Sequence, residues 1–286
     1  MARPSASGFL LGPRANARRE RAARWRNGER DPVPERTAMF YGLDEKQQGI
    51  LRHILGVIDL LFKKTFHADQ LITVERCMGF LEDKKFMDVV KKTAKTVQEK
   101  SLLWRLHTQI WAARQCLCLP GDFVECGVYR GFCSDTVIQY LDFDKTGKTF
   151  YLYDTFEGIP EQHRAGSPVR PGGYAEAGLY DQAVNRFSPF ANARVVKGVV
   201  PDVLAQVCPE RIAYLHLDMN SASAEIGALE ALFGRVTVGG MIVLDDYGWE
   251  WYRAQKTAED AFFAARNHHV LELPTGQGLV VKHAGG

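Results

Sequence analysis

No stretch of this 286-residue sequence stays apolar over the roughly 18–20 residues needed to cross a bilayer. The nearest approach, ILRHILGVIDLLF at residues 50–62, is broken by Arg52, His53 and Asp59. The N-terminal GFLLG is too short for the apolar core of a secretory signal. A membrane partner is therefore not expected, and a cytoplasmic location is. Cysteine is sparse too. Cys77, Cys116, Cys118, Cys126, Cys133 and Cys208 fall at no CxxC or disulfide-scaffold spacing, and they read as free thiols in a reducing cytosol. There is no internal repeat, heptad pattern, GxSxG elbow, Walker A loop or HExxH. Hydrolase, nucleotidase and zincin readings thus have no footing. A basic excess is also missing where it would count. Residues 1–38 hold nine Arg, no Lys and four acids, so a whole-chain charge of +2 leaves about −3 for residues 39–286. A mildly acidic folded part offers no broad basic face, and nucleic acid is not an expected partner.

What remains is an ordinary globular composition with enough apolar residues for a sizeable core. The Arg-, Ala-, Pro- and Ser-rich residues 1–38 suggest a disordered extension. From residue 40 to 118 the pattern is helical. Ile50, Ile54, Val57, Ile58 and Leu61 mark one face of a first helix, and further helices are expected over 83–99 and 101–116, the last N-capped by Ser101. These helices form a cap or lid segment, residues 39–118, ahead of a core at 119–286. The core alternates strands (122–127, 149–156, 194–198, 212–218, 241–246) with helices, and closes in a hairpin of 270–274 with 278–283. Such alternation predicts an α/β fold on a mostly parallel sheet.

In an open parallel sheet the ligand crevice lies beyond the carboxyl ends of the strands. The run IAYLHLDMN ends there in Asp218, and MIVLDDY ends in Asp245 and Asp246. Each acid could cap the helix that follows, but one cap per helix leaves an acid over, and neighbouring carboxylates repel without a cation. Hard oxygen ligands of this kind suit Mg²⁺ or a similar divalent ion, which would orient a substrate hydroxyl at Asp218. The first strand of the core ends Glu125-Cys-Gly127-Val-Tyr-Arg-Gly131-Phe-Cys-Ser134. Glycine past a first strand lets backbone approach a ligand, but Tyr129 fills the middle position of a GxGxxG turn and argues against a pyrophosphate. A ligand without phosphates, such as S-adenosylmethionine, tolerates it. Asp154, ending the next strand, can either accept ribose hydroxyls or cap its own turn. His216 reads as a hydrogen-bonded core residue.

Together FVECGVYRGFCS, YLYDTFEGIP, VKGVVPDVL, LHLDMN, GGMIVLDDYGW and LPTGQGLVVK resemble the macrocin/TylF-type O-methyltransferases, over roughly residues 102–282. The resemblance implies a Rossmann-like class I methyltransferase fold with seven strands, the last reversed. It implies S-adenosylmethionine contacts at Glu125, Gly127, Gly131, Ser134, Asp154, Lys197 and Gly198. It also implies metal ligation by Asp218, Asp245 and Asp246, a small-molecule hydroxyl acceptor such as a sugar, and a homodimer, as in many relatives. Sugar-modifying relatives tend to read Asp-Gly-Asp where this chain reads Asp218-Met219-Asn220, and the second Asp is their proposed base. Asn220 cannot take a proton as a carboxylate does. That leaves two expectations, an O-methyltransferase with another proton acceptor and a catalytically silent module of the same fold. A nicotinamide oxidoreductase is disfavoured by Tyr129.

Overall fold

The structure is a computed structural model and describes residues 40–285. The tail at residues 1–38 lies outside the described residues. Helix α1 (Glu45–Leu61) opens with a reciprocal cap: Asp44 accepts the Gln47 N–H at 2.8 Å, and the Gln47 side chain accepts the Asp44 N–H at 2.9 Å. Its apolar stripe does not enter the core: Ile50, Ile54, Val57 and Leu61 are 42–71% exposed. The following stretch is not helical as expected. Strand β1 (Thr65–Ala68) pairs antiparallel with β2 (Leu71–Val74), and Asp69 and Gln70 join them at φ +52° and +59°. Two successive left-handed residues make the tight turn whose twist suits a hairpin. The helix expected over 83–99 is two. Asp83 caps α2 (Lys84–Thr93), and Thr96 with Glu99 caps α3 (Val97–Ser101). Ser101 does not cap the next helix. Its hydroxyl donates back to the Gln98 carbonyl at 2.7 Å, and α4 (Leu103–Gln115) starts without a side-chain cap.

Beyond α4 come β3 (Asp122–Cys126), α5 (Phe132–Leu141), β4 (Phe150–Asp154), α6 (Leu179–Phe187) and β5 (Ala193–Lys197). The rest is β6 (Ile212–Leu217), α7 (Ala222–Leu232), β7 (Val236–Leu244), α8 (Arg253–Ala264), β8 (Leu271–Glu272) and β9 (Gly278–Val281). Between β5 and β6 the chain makes only a single 3-10 turn, Asp202–Ala205. The sheet has seven strands in the order β5-β4-β3-β6-β7-β9-β8, with β3 to β7 parallel and β9 antiparallel to both neighbours. All six residues of β6 are buried, as expected of a central parallel strand covered on both faces.

Side-chain alternation sorts the core into two layers. Phe123, Tyr214 and Val243 face one layer with Val137 of α5, and Phe66, Phe86 and Leu106 of the N-terminal elements join it. Residues 40–118 therefore share the core of the sheet. Val124, Leu215 and Ile242 face the other layer, with Leu229 and Leu232 of α7 and Phe262 and Phe263 of α8. Among the described residues no helix is long and apolar enough to cross a membrane.

Candidate active site

A cleft of about 450 Å³ opens at the carboxyl ends of β3, β4, β6 and β7. On one side the chain leaves β3 at Gly127, whose φ is +94°; a Cβ there would stand 1.9 Å from the Asp218 carbonyl oxygen, so only glycine fits. Tyr129 holds φ +50° without being glycine. Asp154 supports that strained turn: its Oδ2 accepts the Val128 and Tyr129 N–H groups at 2.8 and 2.7 Å, while its Oδ1 accepts the Phe156 N–H at 2.6 Å. It caps its own turn and braces the glycine turn with the same carboxylate. Glu125, Gly127, Asp154 and Gly198 line the cleft. Gly131 and Ser134 serve the scaffold: Gly131 packs where a Cβ would strike the Phe187 ring at 2.5 Å, and the Ser134 hydroxyl donates to Glu125. Lys197 reaches outward to Glu157 at 2.6 Å.

On the other side the alternation of β3, β6 and β7 puts Glu125, His216, Asp218 and Asp245 on the layer facing α4. Glu125 and His216 are register partners, and their side chains meet at 2.7 Å through Nδ1. Asp245 is held from all directions. Its Oδ2 accepts from Arg105 Nη1 at 2.6 Å, and its Oδ1 accepts from Gln277 and Gln109 at 2.8 and 3.2 Å. Arg105 also forks onto Asp69, at 2.7 Å from Nε and 3.1 Å from Nη2, and lies 3.6 Å from Asp246 and 4.8 Å from the Trp249 ring centre. The hairpin turn at Asp69 thus supplies a carboxylate to the site.

These contacts separate the acids. Burial pushes the Asp245 carboxyl up, but Arg105 and His216 outweigh it and hold the group well below the ordinary range. Burial, and then the charge of Asp245, raise Asp246 and Asp218 well above it. Burial alone would depress His216, yet the carboxylates of Asp245, 3.6 Å from Nε2, and Glu125, hydrogen-bonded at 2.7 Å, raise it well past the usual imidazole range. Asn220, at φ +56°, donates to Asp218 at 3.2 Å and accepts from the Tyr174 and Tyr252 hydroxyls.

The family model described as Macrocin-O-methyltransferase (TylF) matches residues 42–274. The chain belongs to this family. It is an S-adenosylmethionine-dependent O-methyltransferase. Over 189 residues the methyltransferase is 30% identical to the 8-demethyl-8-(2,3-dimethoxy-alpha-L-rhamnosyl)-tetracenomycin-C 4'-O-methyltransferase of Streptomyces olivaceus, covering 58% of this chain and 67% of that one. It is 28% identical to the mycinamicin III 3''-O-methyltransferase of Micromonospora griseorubida, covering 45% of this chain and 56% of the relative. Its fold matches the O-methyltransferase NovP (TM-score 0.57, 22% identity, 63% of this chain and 80% of that one). It also matches the calicheamicin methyltransferase CalS11 (TM-score 0.54, 16% identity, 88% and 98%).

A cleft rich in carboxylates, with a bare glycine turn, suits the cationic, phosphate-free S-adenosylmethionine. The expected metal fits less well. Ligand atoms of His216, Asp218 and Asp245 do lie within 4.8 Å of one another, a trio that replaces Asp246 with a histidine. Yet both oxygens of Asp245 already accept protein N–H groups, and the His216 ring nitrogens face Glu125 and Gln109. The positive charge demanded by adjacent Asp245 and Asp246 is present as Arg105. Arg105, which supplies it, and Gln109, which adds a neutral N–H donor, were missed in sequence although they left a signal. They stand four apart on the buried face of α4, where two polar side chains need partners.

Proposed function

We propose that this methyltransferase methylates a hydroxyl of a ring-bearing small molecule of the natural-product kind, sugars included. The observation that carries the reading is the two-sided cleft. Its inner side is the glycine turn with Asp154, and its outer side is an aromatic wall in which Trp249 and Trp251 stack at 5.8 Å and Tyr41 meets Trp249 edge-on at 6.1 Å. Flat aromatic faces suit the faces of sugar and other small-molecule rings, and by their names the two relatives are O-methyltransferases of a rhamnosyl-bearing tetracenomycin and of mycinamicin III. Tyr41 and Leu102, from the N-terminal elements, help wall the acceptor side.

When bound, S-adenosylmethionine would supply a sulfonium methyl for direct displacement: the acceptor oxygen would form the new C–O bond and give its proton to the Asp218 carboxylate, and the electron pair of the broken C–S bond would pass to sulfur. The chain contributes position and charge. Asp218 stands between the glycine turn and the aromatic wall; Asn220 fixes its Oδ1, and the carboxylate orients the acceptor hydroxyl. The reading is tested by calorimetric titration of S-adenosylmethionine into wild type and Asp154→Ala. Wild type is expected to bind, and the variant to bind at least about tenfold more weakly because three backbone N–H groups lose their acceptor. No binding by wild type would sink the reading.

A further inference from the structure

The side chain of Arg105 is 10% exposed and has no freedom left. Asp69 takes two of its nitrogens, Asp245 takes the third at 2.6 Å, and Trp249 lies against the guanidinium plane. Asp69 itself is fixed, because the hairpin turn sets it in the left-handed conformation. The network also closes behind Asp245, where Gln109 and Gln277 fill the remaining lone pairs of Oδ1. A second cation at Asp245 would have to share Oδ2 with the Arg105 guanidinium or displace the two amide donors from Oδ1. It would also sit within a few ångströms of a buried guanidinium, where like charges repel with little screening.

We propose that Arg105 is a positioning residue that takes the place of a divalent metal ion in this enzyme. It neutralises Asp245 and Asp246, fixes Asp245 against His216, and so closes the carboxylate cluster to Mg²⁺. The acceptor hydroxyl is then oriented by side chains alone, with Asp218 the carboxylate left facing the cleft. The inference rests on the methyltransferase reading but makes a separate demand: a buried monovalent guanidinium, held by a fork from Asp69, does the electrostatic work of a divalent ion. Asp69 belongs to it as the residue that keeps Arg105 from turning away. A lysine in place of Arg105 keeps the charge, and a glutamine removes it at similar length.

The test is a titration with Mn²⁺ alone, read by water-proton relaxation, on the full chain loaded with S-adenosylhomocysteine. Wild type and Arg105→Lys are expected to show no site tighter than about 1 mM, the weak end of carboxylate cation sites. Arg105→Gln is expected to gain one site at least about tenfold tighter, which Asp245→Asn in the same chain removes. A wild-type site tighter than about 1 mM would overturn the proposal, and so would an Arg105→Gln variant that stays as blind to Mn²⁺ as wild type. If Arg105→Gln does not fold, the wild-type titration decides alone. S-adenosylhomocysteine affinity, measured on the same samples, reports on the methyltransferase reading independently: its absence would sink that reading without altering the metal result.

Discussion

Asn220 shows how one amide can be written into a site built of acids. Its Nδ2 donates to Asp218, while its Oδ1 takes the two tyrosine hydroxyls, so every polar atom of the side chain is used in the orientation found. A carboxylate there would lose the donor and stand against the Asp218 charge. Asn220→Asp is therefore expected to lower stability by about 1–3 kcal/mol at pH 8. The loss should shrink at pH 5, where the new carboxyl can take a proton and donate again. Thermal unfolding at the two pH values measures this, and equal midpoints for variant and wild type at pH 8 would show that the tyrosines compensate fully. Asp154 teaches a related point: one of its oxygens caps its own turn and the other braces the glycine turn, so both accept backbone N–H groups.

At the scale of the element, Asp83 joins two helices. Its Oδ1 caps α2 at the Phe86 N–H, 3.1 Å away, and its Oδ2 accepts the Tyr140 hydroxyl of α5 at 2.5 Å. Asp83→Ala is expected to cost about 2 kcal/mol, the sum of a lost cap and a lost side-chain bond, and to leave cofactor affinity unchanged. A urea midpoint equal to that of wild type would refute it. Elements also explain what could be read from the sequence. The parallel strands were legible because burial on both faces makes them unbroken apolar runs, and their ends then named Gly127, Asp154, Asp218, Asp245 and Asp246. The β1–β2 hairpin was not legible: two four-residue strands inside a helical region carry too little period. In α1 the period marked a helix correctly, but period alone does not say whether a face is covered. Arg105 meets Asp245 across 140 residues of sequence, a distance no local pattern spans. The acids pointed to a cation, and the guanidinium that meets them lies in another element.

Across the whole molecule, the second core layer hides a pair of carboxyls. Glu225 of α7 and Glu259 of α8 are wholly buried. Burial first, and then their mutual charge, raise Glu225; burial lifts Glu259 from 4.5 to about 7. A raised carboxyl holds its proton in the folded chain where the unfolded chain has released it. Stability therefore falls as pH rises from about 4.5 to about 7, by roughly 3 kcal/mol for Glu259 alone. Glu259→Gln is expected to flatten this fall and to be more stable than wild type at pH 8. Urea unfolding at pH 5 and pH 8 measures it, and an unchanged slope would refute it.

Asp246 lies between this pair and the cleft. Its carboxyl feels Asp245 and Arg105 on one side and Glu225 on the other, and Glu259 feels Asp246 in turn. Charge on the two sides of the sheet is thus linked, and linkage is reciprocal. A charge brought into the cleft and a proton held by the glutamate pair are felt by one another through Asp246, across a sheet that otherwise keeps the two layers apart.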